Sequence, residues 1–179
     1  YTSTLCPGRV SRPTEGPPMT PADAYADLVR RSRDVALLRS CAGVLEWDQQ
    51  TYMPKAGAAF RGEQLALLAG LAHDQATDPR IGELFAAVEG TDVVADPESV
   101  EAANVRELRH GYDRATKLPK RLVEELARVT AAAQEAWQAA RAASDYPVFQ
   151  PHLEKVLALK REEADAAGFA GHRYDALLD

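Results

Sequence analysis

The sequence predicts an all-α domain, and three observations carry that expectation. It holds 33 Ala and 19 Leu against 14 Val plus Ile, and small or straight-chain residues lose little freedom in a helix, whereas β-branched ones favour strands. Apolar residues recur at helical spacing from Thr20 to Gly168, with no strand candidate longer than Val93-Val94. Helix start and stop signals fall where one periodic stretch gives way to the next. About six helices are expected, in a bundle or a helical-hairpin array.

Thr20-Pro21 reads as an N-cap followed by Pro at the first helical position. The stripe Tyr25, Leu28, Val29, Val35, Leu38, Cys41, Ala42 and Leu45 follows, expected in two pieces broken near Ser32. Met53-Pro54 ends it, because the residue before proline is pushed out of the helical region. Phe60, Gln64, Leu67, Leu68 and Leu71 mark the next helix, which stops near Thr77-Asp78-Pro79. Ile81, Leu84, Phe85 and Val88 form a short one closed by Gly90. Asp96-Pro97 reads as the start of the helix carrying Val100, Asn104, Val105, Leu108 and Tyr112. After Leu118-Pro119 come Leu122, Leu126, Val129, Ala133, Trp137 and Ala140. The last full helix carries Phe149, Leu153, Val156, Leu157 and Ala164 and ends at Gly168. The expected core is Leu28, Leu38, Leu45, Leu67, Leu71, Leu108, Leu122, Leu126, Trp137, Leu153 and Leu157.

Residues 1–18 contain 11 Pro, Gly, Ser or Thr and are expected to be a disordered leader, with the helical domain over 19–179. The apolar Tyr174, Leu177 and Leu178 close the chain without a polar tail, so the domain reads as cut from a longer one. A chain of 179 residues with 46% hydrophobic residues can bury a core, and its net charge of −6 without a basic block argues against nucleic acid and anionic membrane as partners. No apolar run approaches the length of a membrane span. Two cysteines, Cys6 and Cys41, make no disulfide framework, which points to a reducing cytoplasm. Cys41, on the apolar stripe, is expected to be a buried thiol.

Four stretches together carry a resemblance: Leu45-Glu46-Trp47-Asp48-Gln49-Gln50 running into Met53-Pro54, Arg61 through His73-Asp74, Lys117-Leu118-Pro119, and Tyr174 through Asp179. From about Ala22 onward the chain resembles the N-terminal helical part of the Taq-type thermostable metallocarboxypeptidases, zinc- or cobalt-dependent enzymes with a long helical groove. The metal site of that family is an H-E-x-x-H helix with a downstream Glu, two His one turn apart holding the ion and the Glu serving as general base. Here His73, His110, His152 and His172 are followed by Asp, Gly, Leu and Arg, so none opens that motif. The resemblance therefore transfers no catalytic residue, and no peptidase activity is expected.

The chemistry that remains is sparse. There is no Gly-rich phosphate loop and no G-x-S-x-G elbow. Glu107, His110 and Asp113, at i, i+3 and i+6 on one helix, are surface neighbours able to grip a divalent ion; the competing reading is a solvated face paired to Arg106, Arg109 and Arg114. A catalytic zinc needs about three protein ligands, so a site on this trio would recruit His73, Asp48 or His152 from a neighbouring helix. That is the alternative function: a zinc-dependent hydrolase of activated esters or phosphotriesters, whose metal lowers the pKa of bound water. His73 sits where an imidazole meets a helix C-terminus, and packing is the simpler role for His152. The Trp47-Asp48 pair reads either as a pocket carboxylate or, preferably, as a loop cap beside a packed indole. Finally, apolar surface left by a missing remainder predicts self-association, most simply a two-fold homodimer.

Overall fold

A computed structural model describes residues 19–178; the leader expected over 1–18 lies outside them. Among the described residues there are six α-helices: α1 (Pro21–Thr51), α2 (Ala58–Ala76), α3 (Pro79–Val88), α4 (Val100–Ala115), α5 (Lys120–Ala143) and α6 (Tyr146–Ala167). Short 3-10 turns lie at Lys55–Gly57, Asp92–Val94 and Arg173–Leu177, and no strand is present among the described residues. Among the described residues, no helix is long and apolar enough to cross a membrane.

The caps follow the residue chemistry. Thr20 accepts from the Asp23 N–H at 3.1 Å while the Asp23 carboxylate accepts from the Thr20 backbone, a reciprocal capping box with Pro21 behind it. Asp78 accepts from the Arg80 N–H at 2.8 Å and opens α3. Gly90 and Gly168 take φ of 76° and 82°, the left-handed backbone that glycine adopts without a Cβ penalty. Two expectations are corrected. Helix α1 is continuous across Ser32, whose hydroxyl donates to the Leu28 carbonyl at 2.9 Å and so stays within the helix. Asp96-Pro97 does not start α4; it forms a turn, and the cap is Ser99, accepting from the Ala102 N–H at 3.1 Å.

The chain packs as α1 on α2, α2 on α5 and α5 on α6, with α3 returning against the N-terminal half of α1. The core there is Ala24, Leu28, Ile81, Leu84, Phe85, Val88 and Val105. Each fully buried Leu or Phe contributes about 1.5–3 kcal/mol relative to exposure. Farther along, α2 meets α5 through small residues: Gly62, Ala66 and Gly70 are buried, and the Glu124 side chain lies where a Cβ on Gly70 would stand. That close crossing overturns part of the expected core. Leu28 and Leu122 are fully buried, but Leu67, Leu71, Trp137 and Leu157 are exposed, because the helix–helix seams are filled by Ala and Gly. Leu67 and Leu71, next in the chain to Ala66 and Gly70, point outward. Cys41 is likewise exposed, not buried.

Candidate functional site

Helices α1 and α5 both pack on α2, and a groove lies between them. Two adjoining cavities of about 460 and 430 Å³ share Ala42, Glu46 and Ala69 in their walls. Helix α1 supplies Leu38, Ala42, Glu46, Gln49 and Gln50, and α5 supplies Val123, Leu126, Thr130, Ala131 and Gln134; Leu65, Leu68 and Ala72 of α2 lie between, with Lys160 of α6 at one end. The apolar floor is alanine, leucine and valine, and the polar lining is the glutamine amides, the Thr130 hydroxyl, the shared Glu46 carboxylate and the basic side chains of Arg39, His73 and Lys160. Gln49 is buried and donates to the Ala131 carbonyl at 2.9 Å. This single bond ties α1 to α5 across the groove.

One buried ionic node sets the register of α1 against α2. Arg61, 8% exposed, donates to the Leu45 carbonyl, to the Asp48 carboxylate at 2.6 Å and to Gln64 at 3.1 Å. The last turn of α1 contains no basic residue, so Arg61 brings from α2 the positive charge that a helix C-terminal half favours. Asp48 therefore neither caps the following loop nor stands as an isolated pocket carboxylate. Trp47 does not pack in the core: it is 58% exposed and meets Tyr52 edge-on at 5.5 Å between ring centroids.

The candidate metal ligands fall on four helices. Glu107, His110 and Asp113 lie on α4, His73 at the end of α2, Asp48 on α1 and His152 on α6. Glu107 lies 3.7 Å from Arg106, and Asp113 accepts from Arg109 at 3.0 Å; Arg109 also reaches Glu89 and stacks on the Phe85 ring. Among the described residues, no three His, Cys, Asp or Glu side chains converge where they could hold a metal ion. The donor set expected for zinc is therefore not assembled among the described residues: Glu107 and Asp113 lie beside arginines, and His73, Asp48 and His152 stand on other helices.

His73 lines the groove from the last turn of α2. Burial holds its imidazole pKa below the usual histidine value, opposed by the neighbouring Asp74 and a hydrogen bond to the Leu118 backbone. Beside it, Lys120 bridges Asp74 at 2.5 Å and Glu124 at 3.7 Å. His172 caps the final 3-10 turn, its Nδ1 accepting from the Tyr174 N–H at 3.2 Å, while Asp175 accepts from the His172 N–H at 2.8 Å. Gln49, Gln50 and the node residue Arg61 stood in the motif stretches without a role of their own, and Gln134 was not singled out from sequence. A polar residue on an otherwise apolar α1–α2 seam was the available signal.

Comparison with known proteins agrees with this fold. Residues 27–179 match the family model described as carboxypeptidase Taq (M32) metallopeptidase. Thermostable carboxypeptidase 1 of Thermus thermophilus is 44% identical over 171 residues, covering 90% of this chain and 33% of the relative. Among solved structures, metallocarboxypeptidase 1 of Trypanosoma cruzi superposes with a TM-score of 0.64 at 34% identity, over 87% of this chain and 31% of that one. The Pyrococcus furiosus carboxypeptidase gives 0.67 at 27% identity, over 88% and 31%. The chain thus spans about a third of the length of the relatives it matches.

Proposed function

The chain belongs to the carboxypeptidase Taq (M32) metallopeptidase family, and from that premise we propose that its helices build one wall of a peptide-holding groove. Hydrolysis, with zinc as the expected ion, rests on residues outside these 179. The observation that carries this reading is the groove lining. Glutamine amides, the Thr130 hydroxyl, Glu46 and Lys160 border a floor of alanine and leucine. Such groups hydrogen-bond an extended backbone, which offers an N–H and a C=O at each residue. The sequence supplies no H-E-x-x-H pair to activate water. Cysteine usage supports a cytoplasmic setting.

Two measurements test this. Incubation of the 179-residue protein with zinc or cobalt and a peptide with a free C-terminus should release no amino acid by mass spectrometry; chelator-sensitive release would overturn the assignment of hydrolysis elsewhere. Titration with an extended peptide should shift the side-chain amide resonances of Gln49, Gln50 and Gln134. Resonances that stay put at millimolar peptide would remove the groove reading.

A further inference from the structure

A third cavity, of about 210 Å³, is bordered by α1, α3 and α4. On α1, Leu28, Ser32, Val35 and Arg39 follow one another at i, i+4, i+7 and i+11, along one face of the helix, and all four line it. Leu28, Val35, Ile81 and Phe85 are buried, so the inner wall is apolar. Leu108 and Tyr112 of α4 supply another wall, and the Tyr112 ring meets that of Phe85 at 5.7 Å between centroids, with 57° between their planes. Gly111 lines the same wall without a side chain, and nothing lies within 4 Å of where its Cβ would stand. Helix α4 is anchored by the buried Val105 and by Asn104, which donates to the Tyr25 hydroxyl at 2.9 Å. The chamber also shares Arg39 and Ala76 with the groove, whereas the glutamine-lined part of the groove lies farther along α1.

The lining carries one charge of each sign, Arg39 from α1 and Glu107 from α4. Among the described residues Arg39 makes no ion pair, and Glu107 has only its neighbour Arg106, at 3.7 Å, both side chains being exposed. Ion pairs of that kind are worth little, so both groups are open to a ligand. Ser32 gives its proton to the Leu28 carbonyl and keeps only lone pairs to offer. Donors therefore come from Arg39, and acceptors from Glu107 and Ser32. A lone anion or a lone cation would satisfy half of this arrangement; a zwitterion satisfies both halves. An apolar cavity of about 150 Å³ takes up benzene, so this chamber has room for a phenyl ring and its Cβ. Phe85 and Tyr112 give such a ring aromatic neighbours at a tilt.

We propose that this chamber binds a free α-amino acid with a large apolar side chain, its carboxylate on Arg39 and its ammonium on Glu107 and Ser32. The site does not depend on peptide binding in the groove, because the residue at either end of a peptide carries only one of the two backbone charges. L-Phenylalanine is the probe, followed through the methyl resonances of Leu28, Val35, Ile81 and Leu108 in the 179-residue protein. They should shift and saturate at millimolar ligand, and the melting temperature should rise by about 3–6 °C at ten times the dissociation constant. N-acetylphenylalanine lacks the ammonium and phenylalaninamide the carboxylate; each should bind at least about tenfold more weakly. Arg39→Met should bring phenylalanine down to the level of phenylalaninamide and leave phenylalaninamide itself unchanged. Glu107→Gln should do the same with respect to N-acetylphenylalanine. Both side chains are exposed, so circular dichroism should not change in either variant. Methyl resonances that stay put up to the solubility limit of phenylalanine would overturn the proposal. N-acetylphenylalanine binding as tightly as phenylalanine would make the chamber a seat for the end of a peptide, and overturn it. Equal weakening of all three ligands by Arg39→Met would do so too. Shifts confined to the amides of Gln49, Gln50 and Gln134 would place the amino acid in the groove and leave the chamber without a ligand.

Discussion

Removing the Asp48 carboxylate should destabilise the domain through the arginine it leaves behind. The Arg61 side chain is 10% exposed and that of Asp48 35%, with 2.6 Å between them. Deleting one member of a fully buried pair costs about 3–5 kcal/mol, because the surviving charge stays desolvated. Here water reaches the Asp48 side, and Arg61 keeps the Leu45 carbonyl and Gln64 as acceptors. Asp48→Ala should therefore cost about 1.5–3 kcal/mol. Arg61→Met removes the buried charge itself and keeps the alkyl stem. It leaves the half-hydrated Asp48 and loses hydrogen bonds with a net value of about 1 kcal/mol each, for a total of about 1–2 kcal/mol. The double variant should cost less than the sum of the two, with a coupling of about 1 kcal/mol or more. Urea unfolding of the four proteins, followed by far-ultraviolet circular dichroism, completes the cycle. Additive effects, or an Asp48→Ala cost below about 0.5 kcal/mol, would show that the pair behaves as a surface ion pair and does not anchor α1 to α2.

Two further outcomes follow from single sites. Gly43 lies inside α1 with open space where its Cβ would stand, so Gly43→Ala should raise stability by about 0.5–1 kcal/mol in thermal or urea unfolding; a loss of stability would reveal an unseen contact at that position. Burial depresses the His73 pKa, so between the folded and the unfolded pKa the unfolded chain binds the extra proton, and stability falls as pH drops below about 6.5. His73→Gln should flatten the pH dependence of the unfolding midpoint in that window, and an unchanged slope would refute the burial argument.

Local signals in the chain determined most of the helix boundaries. Thr20-Pro21, Asp78-Pro79, Leu118-Pro119, Gly90 and Gly168 each act through backbone geometry within a few residues, and the helices start or stop there. Where a competing local bond existed, the boundary moved: Ser99 replaced Asp96 as the cap of α4, and Ser32 bonded back into α1. The four motif stretches also carried the family, which the match over residues 27–179 bears out.

Periodicity identifies which residues share a helical face, but not which face meets a neighbour. The α2–α5 crossing turned on Gly62, Ala66 and Gly70, small residues that let the helices approach closely, and so Leu67 and Leu71 ended outside. Likewise the pairing of Arg61 with Asp48 and of Gln49 with the Ala131 carbonyl joins residues 13 and 82 apart in the chain. A buried charge or amide needs a partner, but the sequence does not say from which helix that partner comes. The same holds for Glu107 and Asp113. Their spacing suits an ion, yet Arg106 and Arg109 stand beside them, and only the packing of the helices decided that no metal-holding trio forms among the described residues.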